Sequence, residues 1–365
     1  MSLSKDTIQG WADDVSGPVA LCLRQQLMPV EGIGGVIFPP TYVDIGYNID
    51  ELADGTRVAA IDSVGSQANR LEPLFKQAAT TRAANDLASL VPQTAIDVGA
   101  TQGPVSLLEA GHRLGDAIVR SSTLRDEAKQ AFEQFLKTGD ATGIAKLSPT
   151  SLVFGVWDSR DTSAKIPRVL QSVIRAWDVS KLTRSAQYGP PVDYSTLGVL
   201  DEDTKQAADN NAKSPLAQRG FVPVPAPSAH GGIVARGPIL RDVTINLVSL
   251  RRLAGEAQSD ALRRYILGLA IVAGTAPFDG NLRQGCLLVP DPDQASEWIA
   301  VGRDGKRTAV KLTHELALDY AREAAKAFGV GESKTARFEK DRAMEDIAGA
   351  DKKKAAKKAA AKPGK

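Results

Sequence analysis

A polar stretch at residues 62–70, DSVGSQANR, holds the side chains of this sequence that are best placed to do chemistry. It follows an apolar run typical of a strand and precedes a pattern typical of a helix. A helix beginning near Ser63 would direct free backbone N–H groups out of its first turn, and Gly65 would leave room for a ligand. The stretch could therefore bind an anion, form part of an active site, or only cap the helix.

The side chains of this stretch fit an anion-binding role. Five of them offer hydrogens that suit phosphate or sugar oxygens: Ser63, Ser66, Gln67, Asn69 and Arg70. Two of the five, Ser66 and Arg70, are four residues apart and would share one face of the helix. A polar cap on a core helix fits the same residues equally well, so both interpretations stay open.

Signatures of catalysis are missing around these serines. Neither serine stands in a GxSxG motif, and the glycines of GIGG at 32–35 do not continue into a P-loop. The three histidines have no metal-like spacing, and the two cysteines are far apart. No catalytic residue, metal site or cofactor is predicted. Asp44 or Asp62 could still act in metal-assisted phosphodiester cleavage, although an aspartate before a helix is more typically an N-cap.

Basic residues recur on the predicted strands. Arginine on an exposed sheet face binds phosphates well, although scattered charges are often only solvated. The basic residues considered for this role include Arg24, Lys165, Arg168 and Arg241. Aromatic residues make up only 5% of the chain, so a platform that stacks many bases is not predicted.

Composition indicates a globular protein with a large core. The chain has 365 residues, of which 43% are hydrophobic, and it contains neither a long apolar run nor an export signal pattern, so we expect a cytoplasmic protein without a membrane partner. The net charge is +2, but residues 351–365 carry seven lysines against one aspartate, which leaves −4 on the rest. Net charge therefore gives no support for nucleic-acid binding by the folded body.

Hydrophobic periodicity predicts strands and helices in irregular alternation. Strands are expected at 19–30, in 151–159 (SLVFGVWDS), in 168–179 and from 239 onwards, with hairpins in 47–61 and 297–312. Helices are expected at 63–72, 107–120, 124–138, 259–274 with Ser259 as N-cap, and 314–328. This alternation predicts an α+β fold with a mostly antiparallel sheet.

The order of several segments resembles a known family. LRQQLMPVEG, GGVIFPPTYV, RVAAIDSVGSQANRLEP, RVLQSVIRAWDV, RDVTINLVSLRRL and LRQGCLLVP occur in this succession. The succession resembles the backbone subunit of type I-G (formerly I-U) CRISPR effector complexes, a protein of the RAMP superfamily. The resemblance spans about residues 15–330, and FPPTY and DSVGSQANR are its most specific pieces.

The resemblance implies a modified RRM-like, ferredoxin-like palm with large insertions. Residues 15–180 would form the first part of the palm with a helical insertion, and 239–330 its second part. The Pro- and Gly-rich segment 181–238 would be an inserted thumb, and 331–365 a basic low-complexity tail, expected to be disordered. The glycine-containing segment 274–285, GTAPFDGNLRQG, which includes Arg283, is the nearest match to a RAMP glycine-rich loop.

The resemblance also implies a function without catalysis. Such a subunit binds CRISPR guide RNA, assembles with other copies of itself and with other effector-complex subunits, and presents the guide to target DNA. The predicted RNA-contacting residues are Arg24, Ser63, Ser66, Gln67, Asn69, Arg70, Lys165, Arg168, Arg241 and Arg283. The alternative is a metal-dependent RAMP endoribonuclease that cuts target RNA through Asp44 or Asp62.

Overall fold

The structure, a computed structural model, describes residues 3–77, 87–209 and 211–349. Its α-helices are α1 (Lys5–Asp13), α2 (Val64–Leu71), α3 (Ala117–Arg120), α4 (Arg125–Thr138), α5 (Thr142–Leu147), α6 (Pro149–Phe154), α7 (Glu202–Ala208), α8 (Pro215–Gln218), α9 (Leu247–Arg251), α10 (Ser259–Thr275), α11 (His314–Phe328) and α12 (340–349). Short 3₁₀ turns lie at Glu72–Phe75, Ala88–Leu90, Leu107–Glu109, Arg113–Gly115 and Glu256–Gln258. Among these described residues, no helix is long and apolar enough to cross a membrane.

The strands are distributed along the whole described chain. They are β1 (Ala20–Pro29), β2 (Thr41–Tyr42), β3 (Gly46–Tyr47), β4 (Ile49–Glu51), β5 (Arg57–Asp62), β6 (Ala95–Asp97), β7 (Pro104–Ser106), β8 (Val156–Trp157), β9 (Lys165–Ile166), β10 (Leu170–Trp177), β11 (Val179–Tyr188), β12 (Val224–Ala235), β13 (Ile239–Asn246), β14 (Asn281–Arg283), β15 (Cys286–Pro290), β16 (Trp298–Val301), β17 (Arg307–Val310) and β18 (Thr335–Arg337).

The main sheet is antiparallel and has a ferredoxin-like centre. Its central strands lie in the order β15–β1–β13–β10, with helices between β1 and β10 and between β13 and β15. This succession is the βαββαβ arrangement of a ferredoxin-like palm. The strands β5 and β4 extend the sheet beyond β10, and β16 and β17 extend it beside the first half of β1. The predicted α+β, RAMP-like palm with insertions is confirmed.

One face of the sheet is covered by helices. The apolar helix α10 is buried along most of its length and packs against α11, α1 and α6. The close contact of α10 with α11 depends on Gly268, where a Cβ atom would lie 2.9 Å from the Cα atom of Ala321. Together these helices and the sheet enclose the largest apolar cluster.

A row of polar side chains separates the two apolar clusters on this face. On β1, Gln25 stands between Leu23 of the larger cluster and Leu27 of the second cluster. On β13 the separating residue is Arg241, the cross-strand partner of Gln25. On β10 it is Ser172, which pairs with Val243 and is therefore offset by two residues from Arg241. Buried polar side chains require hydrogen-bond partners, so this row must be satisfied from within the protein.

In the sequence, the Pro-rich segment 181–238 connects the central strands β10 and β13. Its ends form a long antiparallel hairpin of β11 and β12, and α7 and α8 lie in the connection, where Ala208, Ala217 and Val222 form a small apolar cluster. The base of the hairpin contacts the palm through an antiparallel bridge between Ile37 and Ile233. The assignment of this segment as a thumb stays a prediction.

Several local predictions differ from the structure. Of the strand predicted in 151–159, residues 151–154 belong to helix α6, which Pro149 begins and whose side chains are all buried, whereas Val156 and Trp157 form β8. Residues 107–120 form two 3₁₀ turns and the short helix α3 instead of one helix. The hydroxyl of Ser259 does not cap α10 but accepts a hydrogen bond from the N–H of Gly255. Residues 335–349 form β18 and α12, so this part of the predicted tail is structured, whereas 350–365 lie outside the described residues.

Candidate nucleic-acid interface

The polar stretch after β5 forms the expected helix cap. Ser63 precedes α2 in an extended conformation, and its Oγ accepts a hydrogen bond from the backbone N–H of Ser66 at 3.2 Å. The Ser63 hydroxyl also donates to the Ser66 Oγ at 3.1 Å. The two serines thus satisfy each other and the first turn of the helix.

Asp62 is the centre of a buried polar network. Its carboxylate is inaccessible to solvent and accepts hydrogen bonds from Gln67 Nε2 at 2.7 Å, Arg70 Nε at 3.0 Å and Arg283 Nη2 at 2.9 Å. Arg70 also donates to the backbone carbonyl of Leu282. Asp62 therefore ties α2 to β14 through two of the predicted RNA-contacting arginines, whose side chains stay 37% (Arg70) and 24% (Arg283) exposed.

The network continues across the sheet through the polar row. Ser172 donates to Gln67 Oε1 at 2.7 Å, and Arg241 lies 3.4 Å from the Ser172 hydroxyl through Nε and 3.3 Å from Gln25 Oε1 through Nη1. Arg241 is 3% exposed and faces the ring of Phe278. Burial lowers the pKa of its guanidinium to about 10, so it still carries a charge at neutral pH. The structure thus places Gln67 and Arg241 inside the protein.

Asp44 and Asp62, the two carboxylates considered for a nuclease, differ in their exposure to solvent. Asp62 is enclosed by two guanidinium groups, whereas Asp44 is exposed, with a φ of 68°. Within residues 3–77, 87–209 and 211–349, no three His, Cys, Asp or Glu side chains form a group that could hold a metal ion.

Three other predicted residues converge on one surface groove. Asn69 of α2, Lys165 of β9 and Arg168 after β9 are exposed and line a groove of about 440 Å³. The groove is also lined by Gly65, His112, Arg113 and Trp157. These seven residues are called the basic groove below. Among the described residues that line this groove there is no aspartate or glutamate, so the groove suits an anionic ligand.

Short strands and a glycine position the basic side chains. Trp157 and Lys165 are cross-strand partners in the β8–β9 pair, and the Lys165 ammonium lies 5.6 Å from the centre of the indole ring. Gly155 has a φ of 79°, and a Cβ atom there would lie 2.7 Å from Cγ of Arg168. Glycine at 155 therefore lets the Arg168 side chain cross close to the backbone.

A buried ion pair supports the floor of the basic groove. Arg113 is 4% exposed, and its Nε lies 2.7 Å from Oε2 of Glu72, which is 1% exposed. Arg113 Nη1 donates to the carbonyl of Gly155 at 3.2 Å, and Nη2 has no hydrogen-bond partner. Burial raises the pKa of Glu72 to about 7, and the charge of Arg113 opposes that rise.

Other grooves on the described surface mix charges of both signs. Arg24, the remaining predicted contact, is exposed on the sheet face turned away from the helices, where its Nε lies 2.7 Å from Oδ1 of Asp242. That groove, of about 750 Å³, also contains Glu297 and Arg307. A carboxylate already neutralises Arg24, which makes this groove a weaker anion site than the basic groove.

Sequence reasoning missed Trp157 and Arg113. Trp157 lies in a two-residue strand and Arg113 in a short 3₁₀ turn, and no periodicity marks elements this short. The β8–β9 pair, which brings Trp157 beside Lys165, encloses the turn-rich stretch DSRDTSA. This stretch was the one sequence signal that could have predicted the hairpin.

The fold defines a class: a RAMP-like palm with insertions. A family model described as "CRISPR-associated protein GSU0053 (Cas_GSU0053)" matches residues 21–181, somewhat less than half of the chain. Over this stretch, the match confirms the resemblance to a CRISPR-associated subunit that the motifs predicted.

The chain is also similar to a solved structure described as a "CRISPR RNA-guided surveillance complex, pre-nicking". The two are 13% identical, and the match covers 90% of this chain and 98% of the other at a TM-score of 0.35. A likeness of this size carries no argument about function. No curated protein matches the chain.

Proposed function

We propose that this protein is a non-catalytic, cytoplasmic guide-RNA-binding subunit of a Cascade-type CRISPR effector complex. In this role it assembles with further copies of itself along CRISPR RNA, joins other effector subunits and presents the guide for pairing with target DNA. The CRISPR-associated family match supports the setting, and the ferredoxin-like palm is a known architecture for such subunits. The observation that carries the proposal is the basic groove.

The charge pattern of the basic groove favours binding to a phosphate backbone. Lys165 and Arg168 are exposed, Asn69 adds a polar amide, and Arg113 adds a guanidinium whose Nη2 has no hydrogen-bond partner. Contacts of this kind bind nucleic acid without reading its sequence. The groove accounts for local basic character in a body whose net charge is slightly negative.

The same geometry argues for binding rather than cleavage. Two-metal phosphodiester cleavage needs carboxylates that reach a metal beside the substrate. Asp62, the aspartate that precedes the predicted contact helix, already accepts hydrogen bonds from Gln67, Arg70 and Arg283. We therefore propose no catalytic residue, and incubation of the assembled complex with complementary RNA and Mg²⁺ should leave that RNA intact.

A salt titration of RNA binding tests the proposed function. The Lys165→Gln/Arg168→Gln double variant should bind a labelled single-stranded RNA more weakly at low salt. Its slope of log K against log salt should fall by about 1.4, because each lost phosphate contact on a single strand contributes about 0.7. A Lys311→Gln/Lys326→Gln variant removes the same charge from exposed positions outside the groove and should keep the wild-type slope. Equal slopes for both variants would contradict the proposal.

A further inference from the structure

We infer that the basic groove holds one nucleotide of single-stranded RNA, with its base stacked against Trp157 and its phosphate at Arg113 and Arg168. This inference rests on the proposed function and names the part of the RNA that this surface binds. It also departs from the low aromatic content of the sequence, which predicts no extended stacking platform.

Trp157 supplies an aromatic surface that the protein itself leaves uncovered. The residue is 59% exposed, although a large indole gains considerably from burial. Its position is fixed by the β8–β9 pair, opposite Lys165. The lysine ammonium lies 5.6 Å from the ring centre, near the outer limit of a cation–π contact, so it does not cover the indole. A nucleobase can stack there, and the same lysine can contact the adjoining phosphate.

Arg113 supplies an incompletely satisfied guanidinium inside the groove. Its Nε is paired with Glu72 at 2.7 Å and its Nη1 donates to the Gly155 carbonyl, but Nε and Nη2 are buried and neither makes a hydrogen bond. A buried N–H group without a partner is costly, and a phosphate oxygen would satisfy it. The backbone of Arg113 has a φ of 53°, a conformation that non-glycine residues rarely adopt outside functional or tight-turn sites.

Arg168 places a second positive charge beside this group. Both residues line the groove, and burial lowers the pKa of the Arg113 guanidinium, with the positive charge of Arg168 lowering that pKa further. An anion between them would replace repulsion with two favourable contacts. The aromatic surface and the two arginines thus offer separate places for the base and the phosphate of one nucleotide.

Intrinsic fluorescence reports directly on the indole. Of the four tryptophans, Trp11 and Trp298 are only 4% and 5% exposed and Trp177 is partly buried, so Trp157 is the one most open to a stacked base. Addition of unlabelled oligouridine should quench the emission of the full-length protein. The Trp157→Phe variant, which keeps a smaller ring, should lose most of that quenching while still binding the RNA.

An abasic RNA separates the base contact from the phosphate contacts. Wild-type protein should bind abasic RNA about 5- to 150-fold more weakly than oligouridine if one stacked base is lost, and Trp157→Ala should bind both RNAs equally. The Arg168→Gln variant should retain the preference for bases but show a lower salt slope.

The outcomes distinguish the two proposals. RNA binding with unchanged Trp157 emission, or with the same preference for bases in Trp157→Ala as in the wild type, would overturn the nucleotide site and leave the proposed function standing. Failure of the wild-type protein to bind any single-stranded RNA at low salt would overturn the proposed function itself.

Discussion

Replacement of Asp62 by alanine should unfold this protein at markedly lower denaturant concentration. The carboxylate is fully buried and accepts three hydrogen bonds at 2.7–3.0 Å from Gln67, Arg70 and Arg283. Alanine would leave two guanidinium groups without their counterion. Removal of one partner from a buried ion pair typically costs about 3–5 kcal/mol.

The size of this effect is limited by how far the arginines can reach water. The side chains of Arg70 and Arg283 are 37% and 24% exposed, so solvent compensates for part of the loss. Three charge-assisted hydrogen bonds at about 1.5–3 kcal/mol each would give a larger gross value, and partial solvation brings the expected net loss back to about 3–5 kcal/mol. With an m value of about 3 kcal/mol/M, the urea midpoint should fall by about 1–1.7 M.

Urea unfolding followed by circular dichroism measures the effect. Asp44→Asn is the matched control, because Asp44 is exposed and asparagine tolerates its φ of 68°, and its free energy of unfolding should stay within about 0.5 kcal/mol of wild type. In an Arg70→Met/Arg283→Met background, the further change Asp62→Ala should cost much less, since no unpaired guanidinium would remain. A wild-type midpoint for Asp62→Ala, together with loss of RNA cleavage by the assembled complex, would refute the reasoning and favour the nuclease alternative.

Three further predictions concern the groove floor and the core. Burial raises the folded-state pKa of Glu72 from 4.5 to about 7, so the stabilising effect of its bound proton is complete below pH 4.5 and is lost as the pH rises to about 7. The free energy of unfolding should therefore fall by about 3 kcal/mol over this interval. In urea titrations at several pH values, Glu72→Gln should remove this pH dependence. Gly155→Ala should destabilise the protein and displace Arg168, because the new Cβ would lie 2.7 Å from the Arg168 Cγ and the backbone φ is 79°. Gly65→Ala is the control, because the nearest atom to a Cβ there lies 3.8 Å away. In calorimetry, this control should unfold at no lower temperature than the wild type. Gly268→Ala should lower the free energy of unfolding by about 1–3 kcal/mol, because the new methyl group forces α10 away from Ala321. Gly10→Ala in α1, where a Cβ meets no atom within 4 Å, should raise it by about 0.5–1 kcal/mol. Equal stabilities for the two variants would contradict this account of the helix contact.

The strongest sequence patterns correctly predicted much of the fold. The alternation in β1 and β13, the Ser63 cap on α2, the apolar face of α10 and the turn between β16 and β17 are all local signals that the tertiary structure reinforces. The strand prediction for 151–159 was wrong for residues 151–154, because short buried helices and strands share the same composition and only Pro149 in the first turn favours the helix.

The candidate site was harder to predict because its residues come from distant segments. Arg241 shares the strand phase of Ile239, Val243 and Ile245, so the alternation itself placed it on the buried face, although arginine on a strand usually indicates exposure. Arg70 and Arg283 both donate hydrogen bonds to the Asp62 carboxylate although they lie more than 200 residues apart in the sequence. No local sequence pattern predicts this contact. The convergence of Asn69, Lys165 and Arg168 likewise depends on the packing of α2 against the segment that holds β8 and β9.

Co-expression of the full-length chain with a CRISPR repeat–spacer transcript tests the central claim most directly. Size-exclusion chromatography with nuclease digestion of the purified material measures both assembly and RNA protection. The account predicts a large ribonucleoprotein particle that contains many copies of the chain and a protected guide, and a smaller protected yield for Lys165→Gln/Arg168→Gln. An RNA-free monomer recovered under the same conditions would contradict it.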